Sequence, residues 1–259
     1  MVITFSKYQG TGNDFIIIDN RDNTIELSTE SVKQLCDRKF GIGADGLMLL
    51  NYRKGYDFEM KYYNSDGAEG TMCGNGGRCL TQFAYDKGIK KDKYLFIAID
   101  GEHEALFNEG WVHLKMKDVS SIEEVQGGFL LNTGSPHYVK PVPDVMNEDI
   151  VTKGRELRYS DEFMPDGVNV NFVENPEEGK IIVRTYERGV EDETLSCGTG
   201  VTASAIVFSR EGTGYNNIEV TTLGGNLAVE FNKNEMGCFE DVWLCGPATF
   251  VFEGKISID

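Results

Sequence analysis

Two cysteines stand in the same local pattern in the two halves of the chain. The first copy is Met72-Cys73-Gly74-Asn75-Gly76-Gly77-Arg78-Cys79 and the second is Ser196-Cys197-Gly198-Thr199-Gly200-Val201-Thr202-Ala203. Each cysteine precedes Gly-x-Gly and a run of helical character, Leu80 to Lys87 in one copy and Ala203 to Glu211 in the other. A glycine suited to a left-handed C-terminal cap, Gly88 or Gly212, closes each run. Cys73 and Cys197 are therefore expected to open two helices. A helix N-terminus carries partial positive charge and backbone N–H groups that favour a thiolate and receive a carboxylate. Two cysteines so placed point to a pair of acid–base groups rather than to two separate nucleophiles.

The elements around them repeat as well. At a nearly constant offset Tyr62 matches Tyr186, Glu69 matches Glu193, Gly101 matches Gly225, Thr11-Gly12-Asn13 matches Thr133-Gly134-Ser135, and Asp45-Gly46 matches Asp166-Gly167. Anchors in one order at nearly one spacing indicate an internal duplication. In the first half, strands are expected over Val2 to Lys7, Phe15 to Asp19, Leu47 to Tyr52, Asp57 to Asn64, Tyr94 to Asp100, Glu104 to Leu106 and Trp111 to Met116. A helix capped at Ser28 runs through about Asp37. The second half begins near Gly128. Its strands are Phe129 to Thr133, Val168 to Glu174, Ile181 to Tyr186, Ile218 to Leu223, Asn226 to Phe231, Asp241 to Cys245 and a short Phe250 to Phe252, with a helix over Asn147 to Arg155. Strands, one central helix, then more strands make each half α+β rather than alternating βαβ. The expected domains are residues 1–117 and 118–249.

Composition narrows the function classes. The chain has 259 residues, enough for two domains with their own cores, and 40% hydrophobic residues, as in globular proteins. No stretch approaches the roughly 20 apolar residues of a membrane span, and Met1 to Lys7 does not read as a secretory signal. A net charge of −17 without a Lys/Arg cluster opposes nucleic acid as a partner. Six cysteines are too sparse for a disulfide scaffold and lack zinc spacing. The expectation is a cytoplasmic protein with free thiols and no metal. Cys36, Cys79, Cys238 and Cys245 read as buried small hydrophobes. Gly41-Ile42-Gly43-Ala44-Asp45-Gly46 has loose dinucleotide-loop spacing but leads into a strand, so its context fails that reading.

At these motifs the sequence resembles the diaminopimelate epimerases, which are cofactor-independent amino-acid epimerases. The resemblance is carried by Gly12-Asn13-Asp14-Phe15, Gly41-Ile42-Gly43-Ala44-Asp45, Asn64-Ser65-Asp66-Gly67, Met72-Cys73-Gly74-Asn75-Gly76, Pro136-His137, Asn169-Val170, Glu187-Arg188-Gly189 and Cys197-Gly198-Thr199-Gly200, with Gly246-Pro247-Ala248 near the end. It implies two pseudo-symmetric domains, each a curled, mostly antiparallel sheet around a central helix, with the substrate in the cleft between them. It also implies a C-terminal strand, about residues 250–259, that rejoins the first domain, and a homodimer. The activity implied is epimerisation of L,L-diaminopimelate to the meso isomer without a cofactor, with Cys73 and Cys197 as the two bases.

Inverting an α-carbon removes a proton from one face and returns one to the other, so two bases on opposite faces satisfy the geometry, one as thiolate and one as thiol. The N-termini at Gly74-Asn75 and Gly198-Thr199 are suited to the α-carboxylate, where charge develops. By the resemblance, Asn13, Asn64, Asn169, Glu187 and Arg188 hold the substrate. Arg188 suits the distal carboxylate, because its planar fork can bind both oxygens. Glu187 and His137 resemble residues that tune the thiols. Two positions depart from the family pattern: Ser135 stands where members often carry Asn, and Gly46 where many carry Gln. The rival readings are a proline racemase or hydroxyproline epimerase, an isomerase of the phenazine-biosynthesis type, and a binding protein for a dicarboxylic amino acid. The first typically has His where Asn75 stands and lacks the Glu-Arg pair; the second would lack one or both cysteines; the third requires unreactive thiols.

Overall fold

The computed structural model describes residues 2–108, 110–209 and 212–258. In chain order the elements are β1 (Val2–Gly10), β2 (Asn13–Asn20), α1 (Thr29–Cys36), β3 (Gly46–Asn51), β4 (Phe58–Asn64), β5 (Glu69–Gly70), α2 (Gly74–Asp86), β6 (Lys93–Ala98), β7 (Gly101–Asn108) and β8 (Trp111–Lys115). There follow β9 (Glu123–Val125), β10 (Gly128–Asn132), β11 (Pro136–Pro141), a 3-10 turn at Val145–Asn147, α3 (Ile150–Arg158), β12 (Asn169–Glu177), β13 (Lys180–Glu187), β14 (Asp192–Thr194), α4 (Gly198–Val207), β15 (Gly214–Thr222), β16 (Gly225–Lys233), β17 (Phe239–Gly246) and β18 (Thr249–Ser257). The chain forms two compact units, Met1–Leu114 with Gly246–Asp259, and Lys115–Cys245.

Both units are built on one plan. In the first, β18, β1 and β2 are antiparallel, β2 is parallel to β3, β3 is antiparallel to β4, β4 takes β5 antiparallel and β6 parallel, and β6 to β8 form a meander. In the second, β9, β10 and β11 are antiparallel, β11 is parallel to β12, β12 is antiparallel to β13, β13 takes β14 antiparallel and β15 parallel, and β15 to β17 form a meander. The fold is α+β, with each mostly antiparallel sheet curled around a central helix. Helix α2 touches β1 to β4 and β18, and α4 touches β10 to β13, β15 and β16. Helix α4 is apolar or small around its whole circumference, as a fully enclosed helix must be. Its buried hydroxyls are satisfied within the helix: Thr202 donates to the Gly198 carbonyl and Ser204 to that of Gly200. On the other side of the first sheet α1 packs Val32 and Leu35 against Ile16, Ile18, Leu47 and Leu49.

The strand register revises two of the sequence matches. Phe15 faces Gly46 where His137 faces Asn169, and Leu47 faces Tyr63 where Val170 faces Tyr186. Tyr186 therefore corresponds to Tyr63 rather than Tyr62, and Gly46 corresponds to Asn169, while Asp166-Gly167 lies ahead of β12. The correspondence of Asn13 with Ser135, and of Gly101 with Gly225 at the starts of β7 and β16, stands in the register.

Both central helices begin directly after the cysteines, at Gly74 and Gly198, where their N-termini were expected, and the glycines form the first turn ahead of the runs from Leu80 and Ala203. Helix α2 ends as read: Gly88 has φ +95 and its N–H donates to the Tyr85 carbonyl. Helix α4 stops at Val207, so Gly212 is not its cap; Glu211, the expected end, lies outside the described residues. Helix α3 starts three residues late, because Asn147 ends the preceding 3-10 turn and Asp149 caps the helix by accepting from the Thr152 N–H. Strand β11 and the short β5, β9 and β14 carried no expectation.

Gly154 sits where α3 crosses β13, and a Cβ there would lie 2.7 Å from Tyr186 Cγ. Helix propensity alone would make Gly154→Ala stabilising by up to about 1 kcal/mol, whereas overpacking costs typically 1–3 kcal/mol. The clash is against buried ring and backbone-proximal atoms, so the variant is expected to unfold at lower urea concentration than the wild type. A raised midpoint would show that α3 shifts freely on Tyr186.

Candidate active site

Cys73 and Cys197 occupy the same position in their units, the residue just before the central helix. Both have extended backbones, φ −93 and ψ 132 for Cys73, φ −115 and ψ 112 for Cys197, and neither sulfur caps its own helix. Cys73 is half-buried and Cys197 is 9% exposed. The other thiols differ. Burial pushes Cys36 up to about 11 and Cys79 up to about 12, out of the reactive range at neutral pH. Cys245 is buried as expected. Cys238 is a correction: it is only half-buried, because it lies in the turn between β16 and β17 rather than inside a strand.

In the first unit the helix start is tied to the β1–β2 hairpin by side chains. Asn75 donates to Asn13 Oδ1, and Asn13 Nδ2 donates to Asp45 Oδ2 at 3.0 Å. Arg78, fully buried one turn into α2, donates to Thr11 Oγ1 and Asn75 Oδ1, both at 3.0 Å, and to the Gly74 carbonyl at 3.3 Å. Asp45 also accepts from the Asp14 N–H, and Arg38 spans Asp14 and Asp45. Burial pushes the Asp14 carboxyl up, but hydrogen bonds and charge from Arg38 and Lys7 outweigh it and hold the group down at about 2. Asn64 is placed apart from this network. It is exposed at the end of β4, its N–H donates to the Ala68 carbonyl, and its own carbonyl accepts from Gly67, so its backbone is a turn.

In the second unit the network is polar and deeper. His137, with no exposed surface, has Nε2 at 2.9 Å from Thr199 Oγ1 and 3.0 Å from Ser135 Oγ. Asn171 Nδ2 lies 3.0 Å from His137 Nδ1. Burial, followed by the charge of Arg188, pushes the imidazole down to about 3, against the pull of Asn171. Asn169 donates to Ser135 Oγ and to the Pro136 carbonyl and accepts from the Arg188 N–H at 2.8 Å. Thr199 Oγ1 is 3.5 Å from Cys197 Sγ. Burial raises the Glu187 carboxyl above its ordinary value, and interaction with Thr194 opposes the rise. Arg188 directs Nη1 at the carbonyls of Asp166 and Gly167.

Asn13, Gly74 and Asn75 thus gather at one helix start, and His137, Asn169, Gly198 and Thr199 at the other, with Glu187 and Arg188 at the end of the adjoining β13. Both departures from the family pattern have local explanations. Ser135 joins the His137 and Asn169 contacts. A Cβ at Gly46 would lie 2.5 Å from Tyr62 Cε2 and 2.8 Å from the Tyr63 carbonyl, so the Tyr62 ring fills the room a side chain would need. Asp45, Arg78, Asn171 and Thr185 were given no role from sequence. Asp45 and Arg78 lie inside the sequence motifs, and Asn171 carries a signal of its own: it shares a face with Asn169 in the otherwise apolar run Val168 to Val173, and a polar residue in a buried strand needs a partner.

Known structures share this architecture. A phenazine biosynthesis protein of the PhzF family from Bacillus anthracis superposes with a TM-score of 0.80 at 14% identity, covering 100% of both chains. A hydroxyproline epimerase from Agrobacterium vitis gives 0.67 at 12% identity, covering 100% of this chain and 93% of its own. At such identities the likeness is one of fold. Sequence comparison is more specific. The diaminopimelate epimerase family model matches residues 5–116 and 129–251. The diaminopimelate epimerase of Flavobacterium psychrophilum is 51% identical over 96% of this chain and 98% of its own, and that of Aquifex aeolicus is 41% identical over 98% and 97%. The chain belongs to the diaminopimelate epimerase family, a family of isomerases.

Two outcomes are expected from this geometry. Gly46→Gln, which restores the side chain many family members carry, should destabilise the first unit by about 1–3 kcal/mol through collision with Tyr62, measured by chemical denaturation. The His137 imidazole should remain neutral with its proton on Nε2 between pH 8 and pH 5, as read from its 15N resonances. The sign follows from its lowered value: the unfolded chain protonates near 6.5 and the folded one near 3, so this group removes stability as pH falls through that window. An imidazolium signal at pH 6 would refute the assignment.

Proposed function

We propose that this chain interconverts L,L- and meso-diaminopimelate without a cofactor, using Cys73 and Cys197 as a thiolate–thiol pair. The observation that carries the reading is the duplication of one chemical position: each unit offers a cysteine immediately before its central helix, with a sulfur not used as the helix cap. Membership of the diaminopimelate epimerase family supports the substrate.

In the proposed cycle one sulfur takes the α-proton as thiolate while the other delivers a proton to the opposite face, and the roles exchange in the reverse direction. The carbanion between these events places negative charge on the α-carboxylate. Helix N-termini at Gly74-Asn75 and Gly198-Thr199 favour that charge through their dipoles. Asn13, Asn64, Asn169 and Glu187 are assigned to the substrate's polar groups, and Arg188 to its distal carboxylate. The neutral His137 suits a group that modulates a thiol without adding a fixed charge, and burial raises the Glu187 carboxyl above its ordinary value. A homodimer and a cytoplasmic site of action belong to the same reading, on the family resemblance.

Incubation with L,L-diaminopimelate in deuterated water under reducing conditions, followed by NMR, should yield meso product deuterated at the inverted carbon. Cys73→Ala and Cys197→Ala should each lower the rate by at least roughly 10²–10⁴-fold, the scale of a lost acid–base group, with the fold intact by circular dichroism. Full activity of either variant would sink the two-base mechanism. Absence of isomerisation in the wild type would sink the substrate assignment.

A further inference from the structure

The two units are duplicates in backbone but not in the residues behind the cysteines. The register sets His137, Asn171 and Thr185 of the second unit at the positions held by Phe15, Met48 and Tyr62 in the first. In both units the third helix residue lies against this layer. A Cβ at Gly76 would be 3.3 Å from Met48 Sδ, and one at Gly200 would overlap Asn171 Oδ1. Apolar contact in one unit is thus replaced by a buried polar file in the other.

We infer that Asn171, held by Thr185, is a positioning residue that fixes the proton of His137 on Nε2 and thereby directs the Thr199 hydroxyl proton toward the Cys197 sulfur. Each link has a defined direction. Asn171 Nδ2 also faces the Tyr138 carbonyl at 3.4 Å, which can only accept, and Asn171 Oδ1 faces the Thr185 hydroxyl at 2.9 Å, so the amide orientation is set. An amide N–H₂ only donates, so His137 Nδ1 must accept, and a neutral imidazole then carries its proton on Nε2. That N–H faces two hydroxyl oxygens, Thr199 Oγ1 at 2.9 Å and Ser135 Oγ at 3.0 Å, and as a donor it makes both of them acceptors. A hydroxyl that has accepted from one side turns its own proton away, and Cys197 Sγ is 3.5 Å off. The competing acceptor, Ser135 Oγ, is 3.4 Å from Thr199 and already takes a proton from Asn169 at 3.2 Å. A donor aimed at sulfur stabilises thiolate over thiol. The file adds no formal charge and ends on Cys197; its counterpart in the first unit has no such donors at Phe15 and Met48.

This deepens the proposed reaction and rests on it for its purpose, but its test does not use the reaction. Iodoacetamide reacts with thiolate, so the pH midpoint of alkylation, followed peptide by peptide by mass spectrometry, reports each cysteine's ionisation. Thr199→Val should raise the Cys197 midpoint by about one unit, while Thr199→Ser restores it. Asn171→Leu should raise it by a comparable amount in the wild-type background and not at all in the Thr199→Val background, because the effect passes through the hydroxyl. The Cys73 midpoint is the internal control and should not move in any variant. An unmoved Cys197 midpoint in Thr199→Val, or an Asn171→Leu shift that persists without the hydroxyl, overturns the inference. Either result leaves the isotope-exchange test of the epimerase reading independent.

Discussion

The close seating of each central helix's first turn against the middle strands of its own sheet is the constraint from which the site follows. It requires residues without side chains at Gly76 and Gly200, where a single added carbon would press on Met48 or strike Asn171. The cysteine before each helix has the extended backbone of an N-cap residue, and its sulfur makes no cap hydrogen bond. The buried polar groups have to be satisfied around that seating, which explains why Arg78 in one unit and His137 in the other are fully enclosed and hydrogen-bonded.

Duplication supplied symmetry of backbone, and divergence removed symmetry of chemistry. One helix start is bound to its hairpin by amides and a buried guanidinium, with the ion-paired Asp14 and Asp45 behind it. The other is bound by a neutral imidazole between hydroxyls and amides. In the proposed thiolate–thiol cycle, these unequal surroundings distinguish the two sulfurs.

Much of this was legible in the chain, for definite reasons. The cysteine–glycine repeat announced the two helices because their start is fixed by local sterics, and the alternation of strands such as Asp57 to Asn64 reflects one buried face. What was lost depended on register. Tyr62 and Tyr63 are adjacent in sequence, and only ladder pairing decides which corresponds to Tyr186; the same uncertainty put Asp166-Gly167 in place of Asn169. Strand β11 escaped because Pro136-His137-Tyr138 carries no clear alternation, although its parallel pairing with β12 is what brings His137 beside Asn169. Asp45 and Arg78 were visible as motif residues, but their partners Asn13 and Thr11 come from another hairpin, a distance in sequence that no local pattern reports. The end of α4 was overrun because Phe208 to Glu211 contains neither glycine nor proline, so the first stop signal in the sequence is Gly212.

Strand β18 pairs along nearly its whole length with β1, so the first unit is closed by residues that follow the entire second unit in the chain. Translation therefore delivers the two units in an order opposite to their numbering. Lys115–Cys245 is complete while β1 still has one edge without its strand, and the early-made sheet must wait through more than half of synthesis for its last member. An unpaired edge exposed for that interval is the form in which strands add to foreign chains. The nascent protein is most vulnerable at its beginning, and its end is what removes the hazard.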